Sequence, residues 1–216
     1  MKNKTFWILI GILLAIVFAT MLIIRTYNPS QRLQMLEQEE LARIAEIKSL
    51  LGEAYIFYYN GDYNAAEKKV HFLLRRVPRN IAALQLLGNI FFMQKKYDDA
   101  EKIFRRILEF DQPRAINHNN LGQTLAMLGN FPEAITELKK AAILSPDIPQ
   151  PYLNLAETYI KLKNKKNAIR YLKKAIEASK NKNNITINLN SFRTLKDEPE
   201  FQKILMDMNS QTKDKK

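Results

Sequence analysis

The chain has 216 residues, 46% of them hydrophobic, with six glycines, eight prolines, no cysteine and a formal net charge of +12. That length allows one domain of ordinary size plus an appendage, and the composition is that of a globular, helical chain rather than a disordered one. Without cysteine there is no disulfide framework, no thiolate metal site and no cysteine nucleophile. The positive charge is concentrated: from Lys161 to the C-terminus, 15 Lys and Arg stand against 6 Asp and Glu. This basic quarter reads as a solvated face, with contact to a membrane or nucleic acid as the alternative.

Residues 1–5 are a short flank. Phe6 to Ile24 then form 19 residues without a charge, with Thr20 the single polar side chain. At the rise of a helix this covers roughly 28 Å, close to the thickness of a bilayer core. Trp7 and Tyr27 stand where interfacial aromatics belong. Val17-Phe18-Ala19 could be a signal-peptide cleavage site, but Met21–Ile24 carry the apolar run past it, which favours an uncleaved transmembrane helix. Lys2 and Lys4 before the run, and Arg25 and Arg32 followed by Glu37, Glu39 and Glu40 after it, favour an N-terminus inside and a domain outside. The expectation is a single-pass protein of a bacterial inner membrane, with its domain extracytoplasmic.

Asn28-Pro29-Ser30 signals a helix start. Residues 25–46 are predicted as a stalk helix that runs on into the next helical element. Leu33, Leu36, Ile44, Ile47 and Leu51 lie on one stripe interrupted by Glu40. Under three heptads long, it is expected to pack on that next element rather than to form a coiled coil.

A period of 34 then sets in, with units starting at Ile47, Ile81, Ala115 and Pro149. The eighth place of each unit is small (Ala54, Gly88, Gly122, Ala156), as is the twentieth (Ala66, Ala100, Ala134, Ala168). The eleventh place is large (Phe57, Phe91, Leu125, Tyr159) and the twenty-fourth apolar (Val70, Phe104, Leu138, Leu172). Two helices that cross closely take only Gly or Ala at the crossing, with large residues on either side. Turn signals separate the helices at Asn60-Gly61-Asp62, Leu128-Gly129-Asn130 and Lys163-Asn164-Lys165. Pro132 suits a helix start, and Pro78 and Pro146 close the first and third units.

This pattern, over residues 47–182, resembles the tetratricopeptide repeat (TPR) family, in a membrane-anchored bacterial form. The resemblance implies an all-α, right-handed superhelical solenoid of four helix–turn–helix repeats at 47–80, 81–114, 115–148 and 149–182. Leu73 and Ile107 replace the family's usual alanine, Gln112 and Lys180 its closing proline, His118 a large apolar residue, and Lys165 the aromatic seen at Tyr63, Tyr97 and Phe131. After a polar stretch, Leu195 to Leu205 looks like the short closing helix that often follows bacterial arrays. Asp197, Glu198 and Pro199 suit its first turn, and Phe201, Ile204 and Leu205 share one face. Residues 183–208 are the expected cap and 209–216 a disordered tail.

No enzyme constellation stands out, and no cofactor or metal is expected. The histidines are His71 and His118, without metal-ligand spacing, and both read as packing or surface residues. In the family, the first helix of each unit lines a concave groove. By position this implies Tyr55, Tyr58 and Tyr59 in the first unit, and Gln85, Asn89, Phe92 and Met93 in the second. The third supplies Asn119, Gln123 and Met127, and the fourth Leu153, Glu157 and Lys161. The amides Gln85, Asn89, Asn119 and Gln123 could bond an extended backbone, while tyrosines and methionines offer adaptable apolar contact. Some members grip chaperone C-termini with a carboxylate clamp; those places here hold Leu51, Tyr55, Leu86, Ile116 and Asn120, so such a clamp is not expected. The function expected is a membrane-anchored adaptor or scaffold for a protein or peptide partner, in an envelope assembly, secretion or translocation complex, with no nucleic-acid partner. The alternatives are a self-associating structural spacer, or membrane or nucleic-acid contact through the basic quarter.

Overall fold

The computed structural model describes residues 2–26, 29–110, 113–180 and 189–213, and among these it is all-helical, without a strand. It divides into two units, Met1–Leu50 and Leu51–Lys216.

The first unit holds α1 (Lys2–Thr26) and most of α2 (Pro29–Tyr59). Proline opens α2, where its missing N–H is one of the unpaired donors of a first turn. The structure corrects the single-pass membrane assignment. Among the described residues no helix is long and apolar enough to cross a membrane. With that assignment go the inner-membrane location and the extracytoplasmic domain. Along the α2 stripe, Leu33 (68%), Leu36 (55%) and Ile44 (39%) are exposed, whereas Ile47 and Leu51 are half-buried.

The second unit begins with the end of α2 and continues as α3 (Tyr63–Arg76), α4 (Ile81–Met93), α5 (Tyr97–Phe110), α6 (Ala115–Met127), α7 (Phe131–Leu144), α8 (Pro149–Lys161) and α9 (Lys165–Lys180). Each helix from α3 to α9 packs on its successor, and α6 also touches both α4 and α8. One layer is therefore α4, α6 and α8, and a second is built of the helices between them: a helical solenoid. The helix starts are set locally. The Asp62 side chain accepts from the Ala65 N–H at 3.0 Å and that of Asn80 from Ala83 N–H at 2.9 Å, each satisfying a donor the first turn leaves open. The turns between paired helices place one residue in the left-handed region: Gly61 (φ 79°), Lys95 (φ 62°), Gly129 (φ 83°) and Lys163 (φ 57°).

The small residues sit where helices meet. A Cβ on Gly88 would lie 2.6 Å from the Phe104 ring, and one on Gly122 would lie 2.6 Å from Leu138 Cγ. Ala54, Ala66, Ala100, Ala134, Ala156 and Ala168 are all buried. Leu84, Phe104, Ile107, Leu121 and Leu125 form one apolar cluster. At the C-terminal end, Ala168, Leu172 and Ala175 are joined by Phe192 and Leu195 from a 3₁₀ turn (Leu189–Leu195) and by Phe201 and Ile204 from α10 (Pro199–Lys213). Lys165 and Lys173 bridge to Glu198 and Glu200 at 2.8 and 3.0 Å, so part of the basic quarter tethers α9 to the closing helix. Helix α10 runs past Ser210, where a tail was expected; 214–216 and the polar stretch at 181–188 lie outside the described residues.

Candidate protein-binding groove

The layer of α4, α6 and α8 carries an unusual density of amides, and most of them bond one another. Gln85 Nε2 donates to Asn117 Oδ1 at 2.7 Å, joining α4 to α6. Asn120 Nδ2 donates to Asn89 Oδ1 at 3.4 Å across the same pair of helices. Asn154 Nδ2 donates to Asn119 Oδ1 at 2.8 Å, joining α6 to α8, and itself accepts from Gln150 Nε2 at 3.0 Å. Asn117, Asn119 and Asn154 are buried, so their amides need these partners. Gln85, Asn89 and Asn119, expected to bind an extended backbone, thus serve to link neighbouring helices. Gln123 differs: it is half-buried and has no side-chain hydrogen bond among the described residues.

Gln123 also stands at the meeting of two hollows. A pocket of about 610 Å³ lies between the N-terminal halves of α6 and α8, lined by Arg114, Ile116, Asn119, Asn120, Gln123, Ser145, Ile148, Gln150 and Pro151. A smaller one of about 40 Å³ continues past Gln123 to Met127, Glu157 and Lys161. The Lys161 ammonium lies 3.3 Å from the Ala126 carbonyl oxygen and 3.1 Å from Met127 Sδ. The structure therefore brings together Asn119, Gln123, Met127, Glu157 and Lys161 of the expected groove, and adds Ile116, Ile148, Gln150 and Pro151.

The remaining candidates lie elsewhere on the unit. Tyr55 stacks on Tyr59 (centroids 6.1 Å), and Tyr58 meets Tyr59 at 5.5 Å and Tyr63 at 5.6 Å. Burial, and then the neighbouring tyrosines, raises the pKa of Tyr55 and Tyr58, whereas Tyr59 is 77% exposed. Phe92 packs into the apolar cluster and against Tyr97 at 5.3 Å, so it is a packing residue; Met93 is exposed. Leu153 belongs to the core beneath α8 rather than to the groove.

His118 is buried and polar-paired rather than an apolar interface residue. Its Nδ1 lies 2.6 Å from Glu137 Oε2 on α7, and Glu137 Oε1 accepts from Lys140 at 2.7 Å. Burial alone pushes the Glu137 carboxyl up, but the bonds from Lys140 and His118 together outweigh it and hold its pKa below the ordinary value. Exposed His71 faces Glu67 at 3.7 Å. Among the described residues no group of three or more His, Asp or Glu could hold a metal ion.

Residues 51–115 of this two-layer helical solenoid match the tetratricopeptide repeat, and residues 93–175 match the family described as anaphase-promoting complex, cyclosome, subunit 3. The chain is 26% identical over 133 residues to the DnaJ homolog subfamily C member 7 homolog of Schizosaccharomyces pombe, covering 54% of this chain and 28% of that protein. It spans less than a third of the length of the curated relatives it matches. Among solved structures it is similar to MamA from Desulfovibrio magneticus (TM-score 0.59, 18% identity, 74% of this chain and 91% of that one), a likeness of fold. The O-GlcNAc transferase of Thermobaculum terrenum matches with TM-score 0.54 and 29% identity over 60% of this chain, but only 26% of that enzyme. TPR proteins are protein-interaction scaffolds, and this fold is typically non-enzymatic.

Proposed function

We propose that the chain is a scaffold of four tetratricopeptide repeats, at 47–80, 81–114, 115–148 and 149–182, closed by a C-terminal cap, which captures a peptide segment of a protein partner between α6 and α8. The observation that carries this reading is the pocket of about 610 Å³ that opens beside the free amide of Gln123. Ile116, Ile148 and Pro151 would take apolar side chains, and Gln123 can both donate to and accept from a peptide backbone. The smaller hollow at Met127, Glu157 and Lys161 extends the same track. The experiment is co-purification with wild type, with Gln123→Ala/Ile116→Ala, and with Lys139→Ala on α7 as a control. The groove variant should lose partners that the control keeps. Unchanged recovery with the groove variant would sink the reading.

Self-association is a second reading, favoured by the exposed Leu33, Leu36, Leu41 and Ile44 of α2. Sedimentation of the full chain tests it: a strict monomer excludes it, and Leu33→Glu/Leu36→Glu should dissociate any dimer it produces.

A further inference from the structure

A basic surface lies away from the groove, around the connection from α3 to α4 and on α5. Arg75 and Arg76 stand over the Phe72 ring, with their Cζ atoms 5.6 and 4.6 Å from its centroid. Arg79 stands over Phe110 at 5.8 Å, and Arg106 Nη2 donates to the Pro78 carbonyl oxygen at 3.3 Å. These contacts tie the last turn of α3, the connection and the second half of α5 into one basic surface. All four arginines are exposed, and Phe72 is 37% exposed.

Several other cations of the neighbourhood are ion-paired. Lys69 pairs with Glu53 at 2.6 Å, Lys102 with Asp99 at 3.0 Å, and Arg105 with Glu101 and Glu133 at 2.8 and 2.7 Å. Arg75, Arg79 and Arg106 have no carboxylate partner among the described residues; rings and a backbone oxygen hold them instead. Such contacts position a guanidinium without cancelling its charge. The rigid fork of a guanidinium matches a phosphate bidentately, which a lysine cannot do.

We propose that this surface, built on Arg75, Arg79 and Arg106 beside Phe72, binds single-stranded nucleic acid through its phosphates. Successive phosphates suit cations distributed over a helix end, a connection and a second helix, and the backbone of a single strand is flexible enough to follow them. This departs from the expectation, drawn from sequence, of no nucleic-acid partner, and it places the basic contact on arginines rather than on the lysine-rich C-terminal quarter.

The test is fluorescence anisotropy with the full chain and labelled RNA and DNA strands of about 12 nucleotides, within the usual site range, with labelled polyglutamate as the competing polyanion. Wild type should bind an oligonucleotide more tightly than polyglutamate. Arg79→Ala/Arg106→Ala should weaken oligonucleotide binding by about tenfold or more, and flatten the salt dependence by about 1.4 in log–log slope, at ~0.7 per lost phosphate contact. Arg79→Lys/Arg106→Lys should keep the slope and lose part of the affinity. Arg75→Ala, which removes only a contact to Phe72, provides a second variant should Arg106 prove needed for folding, and should itself weaken binding. Gln123→Ala should leave binding unchanged, which separates this surface from the groove. Equal affinity and slope in wild type and both alanine variants, no oligonucleotide binding by wild type, or tighter binding of polyglutamate would each overturn the proposal.

Discussion

Replacing Gly88 with alanine tests the packing rule that sets the period of the array. The new Cβ would stand 2.6 Å from Phe104 Cε1, 2.7 Å from Cζ and 3.1 Å from Cδ1. Phe104 is 1% exposed, so its ring has nowhere to go. Overpacking of this kind costs roughly 1–3 kcal/mol. Against it stands the helix propensity gained on exchanging Gly for Ala in a helix interior, roughly 1 kcal/mol. Gly88→Ala should therefore destabilise by about 1 kcal/mol, the overpacking winning. Phe104→Leu removes the atoms that clash, and in that background the same alanine should instead stabilise by up to about 1 kcal/mol. Urea unfolding of wild type, the two single variants and the double variant, followed by circular dichroism, gives the coupling energy. A reversal of sign between backgrounds is the expected result. Additivity within about 0.5 kcal/mol would mean the two residues do not share the crossing point, and the account of the small eighth position would fail.

Asn154→Ala removes the amide between Gln150 and Asn119 and leaves the Asn119 carbonyl oxygen buried without its donor. Thermal unfolding should show a loss of about 1–3 kcal/mol, and a neutral result would mean the amide links are not structural. Lys95 holds a left-handed backbone where two sister turns have glycine, so Lys95→Gly should stabilise by about 0.5–1 kcal/mol and Gly129→Ala should destabilise by about 1 kcal/mol, as read by denaturant midpoints. Glu137 has a depressed folded pKa, so its contribution is present above the unfolded value and is lost as pH falls through the folded one. Glu137→Gln should therefore lower stability near neutral pH, with the gap to wild type closing in acid; a gap that widens would refute the assignment.

The repeat itself was legible because it follows from packing inside each helix pair. A close crossing admits only small residues, the crossing recurs, and the eighth and twentieth places therefore announce themselves in the sequence. The left-handed turns were half legible: Gly61 and Gly129 signal them, Lys95 and Lys163 do not. The apolar run at 6–24 is plain as composition, yet among the described residues no helix is long and apolar enough to cross a membrane. The amide links were not legible as links. They join Gln85 to Asn117, Asn89 to Asn120 and Asn119 to Asn154, at separations of 32, 31 and 35 residues. A comparison made at a fixed step of 34 never sets those residues side by side. Position alone therefore marked Gln85, Asn89 and Asn119 as groove-lining without revealing that their hydrogen bonds were already made.

That arrangement decides how the groove can recognise anything. A buried amide left unpaired costs about 1–3 kcal/mol, so an inner face lined with unpartnered amides would be stable only with its ligand in place. Here Asn119 and Asn154 use both ends of their amides within the fold, Gln85 and Asn89 each bond a neighbouring helix once, and the helices are joined before any partner arrives. A partner meets a preformed surface and does not have to supply those bonds, which lowers the ordering cost of binding. On the proposed reading, the same arrangement would remove Asn119 and Asn154 as discriminators between partners, because they make the same bonds whichever segment occupies the groove. On the proposed reading, discrimination would fall to the groups left free or flexible at the two hollows: Gln123 for the backbone, Ile116 and Ile148 for apolar side chains, and Glu157 for charge. Substitutions at Gln123 or Ile116 should therefore change which partner is bound at constant stability, whereas substitutions at Asn119 or Asn154 should change stability and weaken every partner alike. Parallel melting curves and binding assays on Gln123→Ala and Asn154→Ala separate the two, and a partner-selective defect in Asn154→Ala at unchanged stability would show that the amides read the ligand after all.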